Sequence, residues 1–279
     1  TLSSMARRYK AVAGINAAYF TPKGEPIGTL IMNRRLVSSP YFNRAVFGLT
    51  SLGQPVFGSP DFSGVLRSKG LEMDIDAINQ PRSGDHLVIY TPEFSRSTMT
   101  TENGLELILV KGRIIGIRQN DSLIPPDGVV VSAEGEKARR LKSLRLGDLV
   151  ELNYHVQTPW NQILHAVCGG PRLVKDGVTE IGTDEKFQPS IVNGRHPRSA
   201  VAQTFNGELL FVVVDGRTRR STGMTLAELA KYLRTLGSRH AINLDGGGSS
   251  TLWVKDRVVN HPSDGKERPI SNGILLSVR

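Results

Sequence analysis

One stretch, residues 225–254 (TLAELAKYLRTLGSRHAINLDGGGSSTLWV), limits the folds open to this 279-residue chain more than any other. It begins as a helix. Leu226, Leu229, Ala230, Leu233 and Leu236 fall on one face at the helical period. Thr225 and Glu228 have the spacing of a capping box, and Gly237 stands where a helix-ending glycine belongs. The next run, HAINLD, is largely apolar up to Asp245, after which come Gly246, Gly247, Gly248 and then Ser249 and Ser250. A simple reversal needs only two residues such as Asn-Gly or Asp-Gly. Three glycines in a row carry a large entropic cost on folding, so some other group is expected to approach that backbone closely. TLWVKDRVVN then reads as a hairpin turning at Lys255-Asp256. The triglycine is therefore expected to join two strands and not to open a helix.

That expectation removes several motifs. A phosphate-binding P-loop needs a lysine followed by Ser or Thr after its glycines, and then a helix. A dinucleotide fingerprint also opens a helix, and a hydrolase nucleophile elbow needs G-x-S-x-G. None of these is present around Ser249 and Ser250. What survives is a carboxylate at a strand end beside exposed amides, which can form a concave nest for an anion or a polar ligand oxygen. Asp245 alone leaves two readings: an acid facing a ligand, or a cap that bonds the glycine amides.

Elsewhere the chain alternates short strands with glycine turns. AVAGINAAYF reads as a strand with a turn at Asn16, GTLIMNRRLVSS as a hairpin bending at Asn33-Arg34, and AVFGLTSLGQPVFG as one bending at Gly53-Gln54. RSAVAQTFNGELLFVVVDGR is a strong hairpin with its turn at Asn206-Gly207, and its apolar second strand reads as covered on both faces. Between about residues 64 and 154 the texture changes to β-branched runs punctuated by Gly, Asp and Pro, which suggests a small β-rich module. The expected fold is mixed α/β (α+β): a central mixed sheet flanked by helices, in two parts, 1–63 and 155–279, with a β-rich module over 64–154 inserted between them.

The formal charge of +9 favours a polyanionic neighbour. The arginines are scattered apart from ARRLKSLR, which reads as a solvated helix face, and no aromatic-basic RNA signature, helix-turn-helix or zinc-ligand set is present, so nucleic acid is not expected as a partner. No apolar run reaches the roughly 18–20 residues of a transmembrane helix. A single cysteine, Cys168, excludes an intrachain disulfide and reads as a small buried residue. The chain opens on Thr1, as expected of a processed or trimmed polypeptide whose upstream signal has been removed.

Two further segments carry chemistry at strand ends. FVVVDGRTRRSTG places Asp215 after an apolar strand with Arg217 close behind, and NGRHPRSAV puts His196 and Arg198 just before another. Each has a plain alternative, as a loop or solvated residue. Together, two acids and several arginines suit a ligand bearing both hydroxyls and phosphate.

AGINAAYF, GGPRLVKDG, HPRSAV, VVVDGR, STGMTLAELAKYLRTLG and AINLDGGGSST occur in an order that resembles the phosphodiester glycosidase family. The resemblance covers roughly residues 5–60 and 160–279. It implies hydrolysis of a sugar-1-phosphodiester, releasing a sugar (N-acetylglucosamine-like) and leaving a phosphomonoester, in wall or exopolysaccharide material outside the cytoplasm. It supplies the candidate positions. Asp245 would act as base, nucleophile or electrostatic stabiliser. Arg198 and Arg217 would hold the phosphate; Asn16 and Asn243 would bond sugar hydroxyls or phosphate. The backbone of Gly246–Gly248 with Ser249 would close on the ligand. Asp215 would share catalysis or anchor an arginine, and His196 would shuttle a proton. INAAYF departs from many relatives, which carry glycines where Ala17 and Ala18 stand. No cofactor is required by this chemistry. A phosphate leaving group has a relevant pKa of about 6 and needs little protonation, whereas most glycosidases need a second carboxylic acid. The rivals are a non-catalytic glycan-binding module and a phosphodiesterase with a divalent cation near Asp215 and Asp245.

Overall fold

The computed structural model describes residues 1–278 and is mostly β-sheet with few helices. It divides into two compact units: residues 1–28, 41–59 and 165–278 form the first, residues 29–40 and 60–164 the second. Residues 29–40, 60–63 and 155–164, read from sequence as part of the first, group with the second.

The first unit is built on a five-stranded sheet in the order Val178–Thr179, Arg172–Lys175, Ser238–Asn243, Arg198–Thr204, Leu209–Val214. Every pairing in it is antiparallel, so this central sheet is not the mixed one expected. Helix Leu226–Thr235 misled the expectation. It connects Leu209–Val214 to Ser238–Asn243, two strands that run the same way, but Arg198–Thr204 lies between them and pairs antiparallel with both. The helix has the predicted capping box at Thr225 and Glu228. It buries Leu226, Leu229, Ala230 and Leu233 against Ala200, Ala202 and Ala241 of the sheet. Only this face carries helix. The opposite face, with Val201 and Ile242, packs on a second sheet, ordered Arg257–Val258, Leu252–Val254, Ala13–Asn16, Gly273–Leu276. The period-two alternation of a strand separates these two sets of side chains. Strand Leu209–Val214 sits at the sheet edge and is half-buried throughout, not fully covered.

The second unit holds a five-stranded sheet, Arg113–Arg118, Gly104–Val110, Gly128–Glu134, Leu87–Tyr90, Ala77–Ile78, and a three-stranded one, Glu151–Val156, Phe62–Ser68, Leu71–Asp74. Leu66, Ile89, Leu107, Val131 and Leu141 lie in its core. Helix Gly135–Leu141 buries Ala138 and Leu141 and turns Arg139 and Arg140 to solvent, as ARRLKSLR suggested. Among the described residues no helix is long and apolar enough to cross a membrane.

Candidate active site

The Asp245 loop is fixed by extending the sheet ladder past the strand ends. Ala200 stands opposite Asn243; beyond it Leu244 N–H donates to Ser199 O (2.8 Å) and Gly247 N–H to Pro197 O (2.9 Å). Asp245 thus comes opposite Arg198. From the second sheet, Ala17 O accepts the Asp245 N–H (2.8 Å), and Asn16 Nδ2 donates to Asp245 O (2.6 Å). Asn16 Oδ1 also accepts from Ser199 Oγ (2.7 Å) and Thr251 N–H (3.1 Å). Asn16, 1 % exposed, therefore ties together three chain segments. It positions Asp245 and does not offer its amide to a ligand, as the sequence reading had assigned.

The triglycine now has its explanation. The loop makes one 3-10 turn, Gly247–Ser249, before strand Leu252–Val254. Gly247 adopts φ +60° and lies beneath the Arg217 guanidinium, whose nitrogens would stand 3.3 Å from a Cβ there. A Cβ at Gly248 would collide with the Arg268 guanidinium and the Asp264 carboxylate. Two arginines thus rest on bare backbone beside a carboxylate. Arg268 is held by Asp264 (2.9 Å from Nε to Oδ2), and Arg217 Nη2 meets His196 Nδ1 at 3.2 Å.

Burial pushes the Asp245 carboxyl up from its ordinary 3.8 to about 6, while the Ser249 hydroxyl, the Gly246 amide and the Arg268 charge pull the other way. The Gly246 N–H does donate to Asp245 Oδ1 (2.9 Å), so the carboxylate caps the loop and is perturbed at once. A carboxylate poised near neutral pH is suited to proton transfer.

Other candidates have different places. Arg198 is 2 % exposed. Its Nε donates to Met224 O (2.9 Å) and its Nη2 to Ile191 O (2.8 Å) and Gly194 O (2.7 Å). The planar fork expected to grip phosphate is occupied by backbone carbonyls, so Arg198 braces the 191–194 and 224 segments. His196 Nε2 lies 3.1 Å from Ser190 O and its Nδ1 faces Arg217, so both ring nitrogens are engaged. The ring props Arg217 and is not free to shuttle a proton. Asp215 accepts from Asn260 Nδ2 (3.2 Å) and His261 N–H (3.0 Å) and lies 3.2 Å from His261 Nδ1; it anchors that turn and not an arginine. Asn243 is buried, with Nδ2 donating to Tyr19 Oη (2.8 Å) and Gly170 O (3.0 Å), while Oδ1 has no protein partner. Among the described residues no cluster of three or more His, Cys, Asp or Glu side chains is placed to hold a metal ion.

Sequence reading missed Arg268 and Asp264, isolated charges in a coil, and also Tyr19 and Arg44. Tyr19 Oη donates to Gly170 O (3.0 Å); burial, with the Asp245 charge adding to it, raises its pKa above the ordinary value and keeps it neutral. Arg44 lies over the Tyr19 ring, 5.6 Å from its centroid.

A family model described as phosphodiester glycosidase matches residues 103–277. N-acetylglucosamine-1-phosphodiester alpha-N-acetylglucosaminidase of Mus musculus is 30 % identical over 156 residues, which is 50 % of this chain and 29 % of that protein. The chain thus spans well under two thirds of this relative. The crystal structure of a hypothetical protein from Synechocystis superposes with a TM-score of 0.88 at 25 % identity, over 98 % of this chain and 52 % of that one. The catalytic domain of the zebrafish N-acetylglucosamine-1-phosphodiester alpha-N-acetylglucosaminidase, auto-inhibited by its pro-peptide, shares the fold at a TM-score of 0.55 and 18 % identity, over 100 % of this chain and 67 % of that one. With more than half its length matched by that model, this chain belongs to the phosphodiester glycosidase family.

Proposed function

We propose that the protein hydrolyses a glycosyl phosphodiester, releasing a sugar of the N-acetylglucosamine type and leaving a phosphomonoester. The observation that carries this reading is the Asp245 carboxylate, raised to about 6, beside Arg217 and Arg268 over the Gly247–Gly248 backbone. At neutral pH Asp245 is ionised and takes a proton from water as the water oxygen bonds to the anomeric carbon. The bond from that carbon to the phosphate oxygen breaks, and its electron pair stays on the phosphate. Arg217 and Arg268 supply positive charge that stabilises the second negative charge developing there. No strong acid is needed, since the leaving phosphate has a pKa of about 6. The net charge of +9 supports an anionic polymer as the natural substrate, and we place the activity outside the bacterial cytoplasm, on wall or exopolysaccharide material. Product analysis on a sugar-1-phosphodiester tests this. Free sugar plus phosphomonoester supports it; sugar phosphate plus alcohol would identify a phosphodiesterase, and no product a binding module.

A further inference from the structure

Beside Tyr19 the first unit carries a cluster of rings and cations that the cleavage chemistry does not use. Two loops build it, residues 41–44 and 184–187. Glu185, 3 % exposed, joins them: its carboxylate accepts the Ala45 N–H (2.8 Å) and the Arg172 N–H (2.7 Å). A buried carboxylate is tolerated only when so bonded, so the two loops are fixed relative to each other. Arg44 is stacked among three rings, 4.3 Å from the Phe187 centroid, 5.2 Å from Tyr41 and 5.6 Å from Tyr19. Its Nε is buried and has no hydrogen-bond partner, and among the described residues no carboxylate forms an ion pair with it. On the rim, Lys186 Nζ lies 4.6 Å from the Phe42 centroid, and Phe42 packs on Tyr41 at 4.4 Å. Phe42 (φ +51°) and Lys186 (φ +52°) both adopt the left-handed backbone region, which is costly for bulky side chains and recurs at ligand sites. Phe42 remains 46 % exposed.

We propose that loops 41–44 and 184–187 form a binding platform for the part of an anionic, phosphate-bearing glycan that lies beyond the bond to be cleaved. This rests on the glycosidase reading above. The platform adjoins the site through Tyr19, whose hydroxyl accepts from Asn243 Nδ2 (2.8 Å), two residues before Asp245. Aromatic faces accept the C–H faces of sugar rings, and Arg44 and Lys186 supply charge for a neighbouring phosphate. The rings are tilted against one another, at 48° for Tyr19–Phe187 and 56° for Tyr41–Phe42. That leaves no open parallel slot of the kind on which nucleic-acid bases stack.

The test uses the whole chain with Asp245→Asn, which slows turnover, and an oligosaccharide of repeating N-acetylglucosaminyl-1-phosphate units as probe. Binding is measured by titration calorimetry with and without Phe42→Ala and Lys186→Ala, with thermal melting confirming that each variant is folded. Each substitution is expected to weaken binding roughly tenfold, the order of a cation–π contact near a ligand. A phosphate-free oligosaccharide of N-acetylglucosamine should bind weakly, and an oligothymidylate of equal charge should not displace the probe. Unchanged affinity in both folded variants would overturn the platform, as would equal displacement by oligothymidylate. Loss of binding in the variants alongside a wild type that releases no sugar would keep the platform and remove the glycosidase reading. Sugar release with unchanged binding in the variants would do the reverse.

Discussion

Replacing Asp245 with asparagine separates a working carboxylate from a loop cap, because the two roles give opposite signs of stability change. The folded protein holds this carboxyl at about 6 against an ordinary 3.8. At about 1.36 kcal/mol per pH unit the gap is worth about 3 kcal/mol. The sign follows from proton binding. Between pH 4 and 6 the folded state keeps the proton and the unfolded state does not, so stability falls as pH rises through that window and stays lowered above it. Asparagine carries no charge to desolvate, and its Oδ1 can still accept the Gly246 N–H. The half-buried carboxylate keeps some contact with water, so the variant should gain about 1–3 kcal/mol at pH 8, a rise of roughly 2–5 °C in melting temperature for a chain of this size. At pH 4 wild type and variant should melt together. Over the same comparison the variant should lose about 10²- to 10⁴-fold in turnover. Calorimetric melts at pH 4, 6 and 8, with sugar release measured at pH 7, make the test. A variant that is equally destabilised at pH 4 and pH 8, and still turns over substrate, would show that Asp245 only caps the loop.

Further outcomes follow from the same geometry. In wild type, kcat/KM should decline as pH falls through about 6, where Asp245 takes up its proton; a flat profile from pH 8 to 4.5 would remove the carboxylate from the rate-limiting chemistry. Arg217→Lys and Arg268→Lys should each lower kcat/KM for a sugar-1-phosphodiester by about 10- to 100-fold, the scale of a hydrogen bond to a charged group. The matching aryl glycoside should be a poor substrate for all forms, and equal rates on both substrates in wild type would refute phosphate recognition. Arg198→Lys should act on stability: with backbone bonds from Nε and Nη2 broken, roughly 2–4 kcal/mol should be lost, read as an earlier denaturant midpoint. A folded Arg198→Lys protein with wild-type stability and a raised KM would return Arg198 to the phosphate. Gly247→Ala forces a side chain into φ +60° and should cost about 1–2 kcal/mol, measurable by urea unfolding.

Local chemistry was readable from the sequence wherever neighbouring residues decide the backbone. Asn33-Arg34 and Lys255-Asp256 turn their hairpins with all four residues at positive φ, and Thr225 with Glu228 caps the one long amphipathic helix as the spacing required. The triglycine announced a close approach without naming what approaches. Arg268 and Asp264 lie in a stretch with no period, and only the folded chain brings them over Gly248. Arg198 was misassigned for a related reason. Its partners are the carbonyls of Met224, Ile191 and Gly194, and a carbonyl leaves no trace in residue identity. The mixed sheet failed on topology: a strand–helix–strand run suggests parallel neighbours, and nothing in the run itself reveals that Arg198–Thr204 sits between them.

Asn16 has a consequence for how the protein comes into being. Its side chain bridges to Thr251, 235 residues later, and strand Ala13–Asn16 lies between Leu252–Val254 and Gly273–Leu276. A ribosome adding about 5–20 residues per second needs roughly 10–50 s to supply those partners. During that interval the first strand has neither edge paired, while the intervening unit has all its own strands in hand. The carboxylate cannot be oriented before nearly all of this chain is made, so activity should appear abruptly with the arrival of residues 273–276 and be absent from nascent chains that stop short of them.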